Sequence, residues 1–243
     1  MLNDSDDSVW LFDVDNTLLD NDRFGTDLGA YLTETFGAAE RDRYWEIYAT
    51  LRAETGVADY LGALQRFRTG VDDEPALLHV GAFMLDYPFA ERLYTGALDV
   101  VAKCRQKRRA VVLSDGDIVF QPRKIVRAGL WGAFAGEVLV CVHKELALDA
   151  MRRRYPAPHY VMVDDKPRLL AAIKREMGGC VTTIFVRQGH YAAETAAAGV
   201  DPPPDRAIDH IGDLTALFET RFGTPAHGDA AGKQIASIHE DVR

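Results

Sequence analysis

Cysteine is scarce and long hydrophobic segments are absent from this 243-residue sequence, and each absence argues against a class of protein. The three cysteines, Cys104, Cys141 and Cys180, are widely spaced and form no CxxC motif. This spacing argues against a disulfide framework or a zinc site and favours reduced cysteines. No apolar run reaches the roughly 20 residues of a membrane-spanning helix, and the acidic N-terminus lacks a signal-peptide pattern. We therefore expect a cytoplasmic protein with no membrane partner.

Basic residues are fewer than acidic residues. There are 28 lysine and arginine residues against 37 aspartate and glutamate residues, which gives a net charge of −9. No basic tract stands alone, so a nucleic acid polymer is not an expected partner. The apolar content of 47% is ordinary for a globular protein, and the length allows one large or two modest domains. The sequence contains no internal repeat, and no pattern specifies an oligomeric state.

A short apolar segment near the N-terminus ends on two acidic residues. Residues 9–12 are all apolar, which predicts a buried parallel strand, and Asp13 and Asp15 follow. In an extended chain these two side chains point the same way, and at about 5 Å they repel by roughly 3 kcal/mol at an effective dielectric of 20. Such a pair predicts a bound cation or a shared proton. A lone DxD is more often a polar turn, so the interpretation depends on the rest of the chain.

The rest of the chain shows two different patterns of predicted secondary structure. Four amphipathic helical patterns come first, over residues 22–36, 38–54, 57–67 and 74–85. Short loops between them predict a small helical bundle inserted into another domain. We therefore predict an α/β core domain from residues 1–19 and 95–222, a helical cap domain from 20–94, and a flexible tail over 223–243.

Strand and helix patterns alternate after residue 95. Predicted strands cover residues 110–113, 137–142, 160–163, 181–186 and a short 206–208, and the helices cover 97–106, 118–128, 145–154, 167–177 and 213–221. This alternation predicts an α/β fold: a Rossmann-like parallel sheet with helices on both faces and ligands at the carboxyl ends of its strands.

Polar residues that can carry chemistry follow each of the first four predicted strands. Here the sequence resembles the haloacid dehalogenase-like hydrolase superfamily. The segment Asp13-Val-Asp15-Asn-Thr17 is similar to its first motif, Ser114-Asp-Gly to its second, Lys144 to its third, and Asp164-Asp165 to a short form of its fourth. The resemblance extends from about residue 9 to 217 and includes the position of the helical cap.

The resemblance implies a role for each motif residue. Asp13 would be the nucleophile that forms an aspartyl phosphate, and Asp15 would be the acid and base. Mg²⁺ would be held by Asp13, the Asp15 backbone carbonyl, and Asp164 and Asp165, with Asp165 favoured as the more direct ligand. Lys144 would supply a fixed positive charge. The phosphate of a small phosphorylated metabolite would be bound by Thr17, Ser114, Asp115 and Gly116.

Alternatives remain within and outside this superfamily. Gln121 and Lys124 make the second motif similar to those of nucleotidase-like and small-metabolite phosphatases. The dehalogenase branch lacks an acid at position 15, and the phosphonate-cleaving branch needs a cap lysine, whereas no lysine precedes Lys103. A phosphomutase retains Asp15 and stays open. A receiver-like regulatory protein or a non-catalytic phosphate-binding scaffold is the alternative of a different class.

Several other residues have plainer interpretations. Lys124 and Lys166 are weaker candidates than Lys144 for the catalytic lysine, and His143 is expected to be a structural neighbour. The cap aromatics Tyr44, Trp45 and Tyr48 are more typical of a bundle core than of a substrate site. No pattern in the sequence identifies the phosphorylated substrate or the cap residues that contact it.

Overall fold

The computed structural model describes residues 7–195 and 199–219. Within these ranges the strands are β1 (Val9–Phe12), β2 (Arg109–Asp115), β3 (Val138–Cys141), β4 (Tyr160–Asp164), β5 (Val181–Val186) and β6 (Arg206–Ile208). The helices are α1 (Asn21–Phe36), α2 (Ala38–Thr55), α3 (Tyr60–Phe67), α4 (Glu74–Asp86), α5 (Ala97–Arg105), α6 (Phe120–Arg127), α7 (Leu130–Ala133), α8 (Leu148–Arg154), α9 (Pro167–Met177), α10 (His190–Thr195) and α11 (Leu214–Glu219). Short 3₁₀ turns cover Phe89–Arg92, Lys144–Leu146, Gly178–Cys180 and Ile211–Asp213.

The strands form one parallel sheet in the order β3-β2-β1-β4-β5-β6. β1 lies at its centre, where Phe12 pairs with Val112 of β2 on one side and with Val163 of β4 on the other. The carboxyl ends of these three strands therefore meet at one place on the edge of the sheet. This sheet confirms the predicted α/β fold class.

The central strand is apolar throughout because both faces of the sheet are covered. Trp10 and Phe12 point into the core on one face, where α5, α11 and the first four helices contribute side chains. Val9 and Leu11 point into the core on the other face, against α8 and α9. All four residues are at most 4% exposed, which fixes the direction of the chain as it leaves β1.

The first four helices, α1 to α4, begin and end at residues suited to those positions. The carboxylates of Asp20, Asp59 and Asp73 accept hydrogen bonds from backbone N–H groups in the first turns of α1, α3 and α4. Gly56 ends α2 in the left-handed conformation, with φ of 74°. These local signals make four separate helices out of residues 21–86.

The observed elements differ from the sequence-based prediction at a few points. The predicted helix over residues 145–154 is a 3₁₀ turn at Lys144–Leu146 followed by α8, and α3 begins at Tyr60 rather than at Val57. The sequence pattern predicts neither α7 nor α10. The whole predicted tail, 223–243, and the end of the predicted helix 213–221 lie outside the described residues. The division into core and cap stays a prediction about domains.

The described residues bear on two expectations from the sequence, those about disulfide bonds and about membrane-spanning helices. No disulfide bond links Cys104, Cys141 and Cys180. Among the helices of the described residues, none combines the length and the apolar character needed to cross a membrane.

Candidate active site at the carboxyl edge of the sheet

A buried lysine joins two of the predicted acidic motifs. Lys144 Nζ donates to Asp13 Oδ1 at 2.6 Å and to Asp164 Oδ2 at 2.7 Å. Lys144 and Asp164 are fully buried, and Asp13 is 2% exposed. Burial opposes the ionisation of Asp13, but the positive charges of Lys144 and Lys166 outweigh it and hold the pKa of Asp13 below its usual value. Asp13 is therefore an anion at neutral pH.

Asp165 completes a cluster of three buried carboxylates. One oxygen each of Asp13, Asp164 and Asp165 lies within 4.8 Å of the others. The oxygens of Asp164 accept from Lys144 Nζ and from the backbone N–H of Lys166, whereas neither oxygen of Asp165 has a partner among the described residues. Burial and the nearby charges of Asp164 and Asp13 raise the pKa of Asp165 well above its usual value. A buried carboxylate without a donor is costly unless a cation binds it.

Asp115 determines where Lys144 sits. Its Oδ1 accepts from the backbone N–H of Lys144 at 2.7 Å, and this contact fixes the start of the 3₁₀ turn that follows β3. The neighbouring carboxylates of Asp13, Asp164 and Asp115 keep the pKa of Lys144 raised, although burial acts in the opposite direction. Lys144 is therefore held as a cation between the first and fourth motifs. Asp115, which is expected to bind phosphate, thus has one carboxylate oxygen hydrogen-bonded to the backbone of the third motif.

Of the other residues expected to bind phosphate, Thr17 contacts Asp13, whereas Ser114 and Gly116 lie at the end of β2 next to α6. The Thr17 hydroxyl donates to Asp13 Oδ2 at 3.3 Å, and Ser114 is 1% exposed at the end of β2. Gly116 donates its N–H to the carbonyl of Cys141, and a Cβ there would lie 2.6 Å from Gln121 Cβ. Gly116 therefore permits a close approach of α6 rather than presenting a free N–H group.

Asp15, the second acid of the first motif, has Lys124 as its partner, although the sequence makes Lys124 a weaker candidate than Lys144 for a catalytic role. Lys124 Nζ donates to both oxygens of Asp15, at 2.8 and 3.0 Å, and Gln121 Nε2 lies 3.3 Å from Asp15 Oδ2. Lys124 is 1% exposed, whereas the Asp15 side chain retains 22% of its exposure. The spacing of Gln121 and Lys124, three residues apart on one face of α6, is the signal that could have indicated this pairing.

A cavity of about 610 Å³ opens against Asp15 and Asp165. Its wall combines residues of α1, α2 and α3 with Lys166 and with residues of α10, including Asn21, Arg41, Trp45, Tyr48, Arg52 and Tyr191. Tyr44 is buried in the core as predicted, but Trp45 and Tyr48 also line this cavity. The cavity therefore lies between the acidic residues that follow the strands and the aromatic side chains of the helices.

The first residue of α10, His190, makes a contact that the sequence does not indicate. Asp22 Oδ2 accepts from the backbone N–H of His190 at 2.8 Å, and Asn16 Oδ1 accepts from the N–H groups of Asn21 and Asp22 at 3.0 and 3.2 Å. Asn16 itself has a φ of 57°. These contacts join the first motif, the start of α1 and α10 beside the cavity.

Known structures resemble this chain over most of its length. The structure of a protein assigned as a haloacid dehalogenase-like hydrolase of Burkholderia xenovorans LB400 is 52% identical, with a TM-score of 0.82, over 87% of this chain and 96% of that one. The chain belongs to the haloacid dehalogenase-like hydrolases. Its assignment as a hydrolase follows, and the superfamily predicted from the four motifs is confirmed.

More distant structures share the fold of this hydrolase. L-2-haloacid dehalogenase of Xanthobacter autotrophicus is 16% identical with a TM-score of 0.57, over 89% of this chain and 99% of that one. The HAD-hydrolase YfnB of Bacillus subtilis, whose structure is bound to magnesium, is 17% identical with a TM-score of 0.55, over 87% and 98%. No family model and no curated protein matches the sequence.

Proposed function

We propose that this hydrolase is a Mg²⁺-dependent phosphatase that hydrolyses a small phosphomonoester through an aspartyl phosphate on Asp13. The observation that carries the proposal is the buried cluster of Asp13, Asp164 and Asp165 with Lys144 between two of its members. A phosphate dianion needs positive charge around it before a carboxylate can approach. The cluster offers a cation site and a fixed lysine beside the same carboxylate.

The donor set fits a magnesium ion. Mg²⁺ prefers carboxylate oxygens, and both oxygens of Asp165 are buried without a hydrogen-bond donor among the described residues. Asp13, Asp164 and Asp165 would hold the ion, together with the Asp15 backbone carbonyl as the resemblance implies. Because Asp164 already accepts two hydrogen bonds, Asp165 is the better candidate for the direct ligand. When bound, the ion would supply positive charge that neutralises the phosphoryl oxygens.

The chain's own residues account for the two chemical steps. The Asp13 carboxylate attacks phosphorus and the ester oxygen leaves with a proton from Asp15, which forms the aspartyl phosphate. Asp15, now a carboxylate, takes a proton from the water that attacks this intermediate, and phosphate and free Asp13 result. Lys144 keeps Asp13 ionised and oriented. The buried hydroxyl of Ser114, which accepts from Gln121 at 2.9 Å, would bind a phosphoryl oxygen, as the resemblance implies.

The leaving group would occupy the cavity of about 610 Å³. Cavities of roughly 300–1,000 Å³ accept small organic molecules, so a small phosphorylated metabolite fits the size. Trp45 and Tyr48 offer apolar faces to its carbon skeleton, while Asn21 and Arg52 offer hydrogen-bond donors.

Carbon–halogen hydrolysis is the competing chemistry, since L-2-haloacid dehalogenases share the fold. Two features favour phosphate instead. Asp15 supplies the acid that an alkoxide leaving group needs and a halide does not, and the buried Asp165 favours a cation beside Asp13. A phosphomutase uses the same groups and differs in retaining a second phosphate.

Phosphate release tests the proposal. The purified protein should hydrolyse p-nitrophenyl phosphate and members of a panel of phosphorylated metabolites when Mg²⁺ is present, and it should release no chloride from 2-chloropropionate. Asp13→Asn should abolish turnover while the exposed control Asp149→Asn retains it. Chloride release, or undiminished phosphate release by Asp13→Asn, would refute the proposal.

A further inference from the structure

Lys124 is a buried cation outside the cluster of motif carboxylates. Its Nζ has three acceptors: Asp15 Oδ1 at 2.8 Å, Asp15 Oδ2 at 3.0 Å and Asn21 Oδ1 at 2.8 Å. The rings of Phe120, Phe89 and Tyr60 surround it at 5.4 to 6.0 Å from their centroids. An ammonium group has three protons to donate, so these three contacts use all of its donors.

This environment fixes the lysine, and the lysine fixes Asp15. Burying an ammonium group costs on the order of several kcal/mol in lost hydration. That cost is offset only while its hydrogen-bond acceptors and its carboxylate partner stay in place. Within residues 7–195 and 199–219, Asp15 is the one carboxylate that forms an ion pair with Lys124. The lysine approaches Asp15 from the protein interior, and the exposed 22% of the Asp15 side chain is left for the cavity, which Asp15 lines.

We propose that Lys124 is a positioning residue that holds the Asp15 carboxyl group in the orientation needed to protonate the leaving oxygen. This inference rests on the proposed phosphatase function. Lys124 would not touch the substrate and would keep its own protons, because the proton moves only between Asp15 and the leaving oxygen and later between water and Asp15. Gln121, from the same face of α6, supports the same carboxylate at 3.3 Å.

Lys124 also connects Asp15 to helices α1 and α3. Asn21 is the first residue of α1, and its Nδ2 donates to the Tyr60 hydroxyl at 3.2 Å. Tyr60 begins α3 and lines the cavity. The orientation of Asp15 is therefore set by contacts with α6 and, through Lys124, with the start of α1, so Asp15 and the cavity wall belong to one hydrogen-bond network.

The test compares two leaving groups. An alkyl phosphate needs a proton on its leaving oxygen, whereas the p-nitrophenolate ion leaves without one. Lys124→Met should lower kcat/KM for an alkyl phosphate by roughly 100-fold, within the range of general acid catalysis, and for p-nitrophenyl phosphate by less than about threefold. In an Asp15→Asn background, Lys124→Met should not change the ratio of the two values further.

Matched variants separate positioning from folding. Arg123→Gln changes the neighbouring residue, which is exposed and pairs with Asp86, and both activities should be retained. Lys124→Gln keeps a donor in the same space and should recover part of the alkyl phosphate activity; it also replaces Lys124→Met if that variant does not fold.

Three results have distinct meanings. An equal loss on both substrates, or no loss on either, would overturn the positioning role of Lys124. A change of the ratio in the Asp15→Asn background would do the same, because Lys124 would then act through another group. Absence of phosphate release by the wild-type protein would instead overturn the proposed function itself.

Discussion

Replacing Lys144 with methionine should destabilise the protein and make its stability depend on Mg²⁺. At an effective dielectric of 20, each of its contacts with Asp13 and Asp164, at 2.6 and 2.7 Å, corresponds to about 6 kcal/mol of attraction. Much of that attraction offsets the cost of removing the charges from water. Removal of one partner from a buried ion pair typically costs about 3–5 kcal/mol, and methionine is long enough to leave little cavity.

The assay is urea unfolding of Lys144→Met and of the wild type, each with EDTA and with excess Mg²⁺. A loss of about 3–5 kcal/mol in EDTA corresponds to roughly 10 °C in Tm for a chain of this length. Mg²⁺ should stabilise the variant more than the wild type, since the ion replaces the missing charge among three carboxylates. The exposed pair of Arg187 and Asp209 supplies the control, and Arg187→Gln should cause no measurable loss.

The pH dependence has a definite sign. In the wild type, Lys144 and Lys166 keep the pKa of Asp13 low against the effect of burial, while burial and neighbouring carboxylates raise the pKa of Asp165. Without Lys144, the pKa values of these buried acids rise above those of the unfolded chain. Protonation then favours the folded state, so the deficit of Lys144→Met should be smaller at pH 5 than at pH 8. A loss below about 1 kcal/mol in EDTA, or one that Mg²⁺ does not reduce, would refute the reasoning.

Three further predictions concern the metal, the third motif and the sheet edge. EDTA should suppress phosphate release and Mg²⁺ should restore it, whereas Ca²⁺, which tolerates irregular coordination, should not; full activity in EDTA would contradict this. Asp115→Ala should lower kcat by roughly tenfold or more with a smaller change in KM, because the backbone of Lys144 loses its acceptor, and steady-state kinetics would detect it. Asp205→Asn should cost about 1 kcal/mol in urea unfolding at pH 7, since burial is outweighed by donors from Lys174 and Thr183 that lower the pKa of Asp205. That contribution is present above the unfolded pKa of about 4 and is lost as the pH falls through the lower folded value, so an equal deficit at pH 2.5 and pH 7 would contradict it.

The sequence predicted the sheet well because its strands are covered on both faces. Val9–Phe12 could be recognised as a buried strand because all four residues are apolar, and alternate residues pack into the cores on the two faces of the sheet. Once the parallel order is known, Asp13, Ser114 and Asp164 must meet at one edge. The role of Lys144 could be predicted only with the help of the family resemblance, because no local pattern distinguishes it from a surface lysine in the first turn of a helix.

Long-range contacts account for what the sequence did not predict. The sequence does not indicate the role of Lys124, because a lysine within a helix is ordinarily solvated and the burial of Lys124 depends on Asp15, which lies 109 residues away along the chain. The contact of His190 with Asp22 spans 168 residues and has no local signal. Trp45 and Tyr48 satisfy the pattern of a packed helix and line a cavity as well, so periodicity alone does not separate these two environments.

The most direct test of the account is to trap the phosphorylated enzyme. Protein mixed with ³²P-labelled substrate and Mg²⁺, and quenched in acid within one turnover, should carry a label that hydroxylamine removes and that maps to Asp13. Substrate turnover without a trapped label, or a label on any residue other than Asp13, would contradict the claim that this carboxylate is the nucleophile.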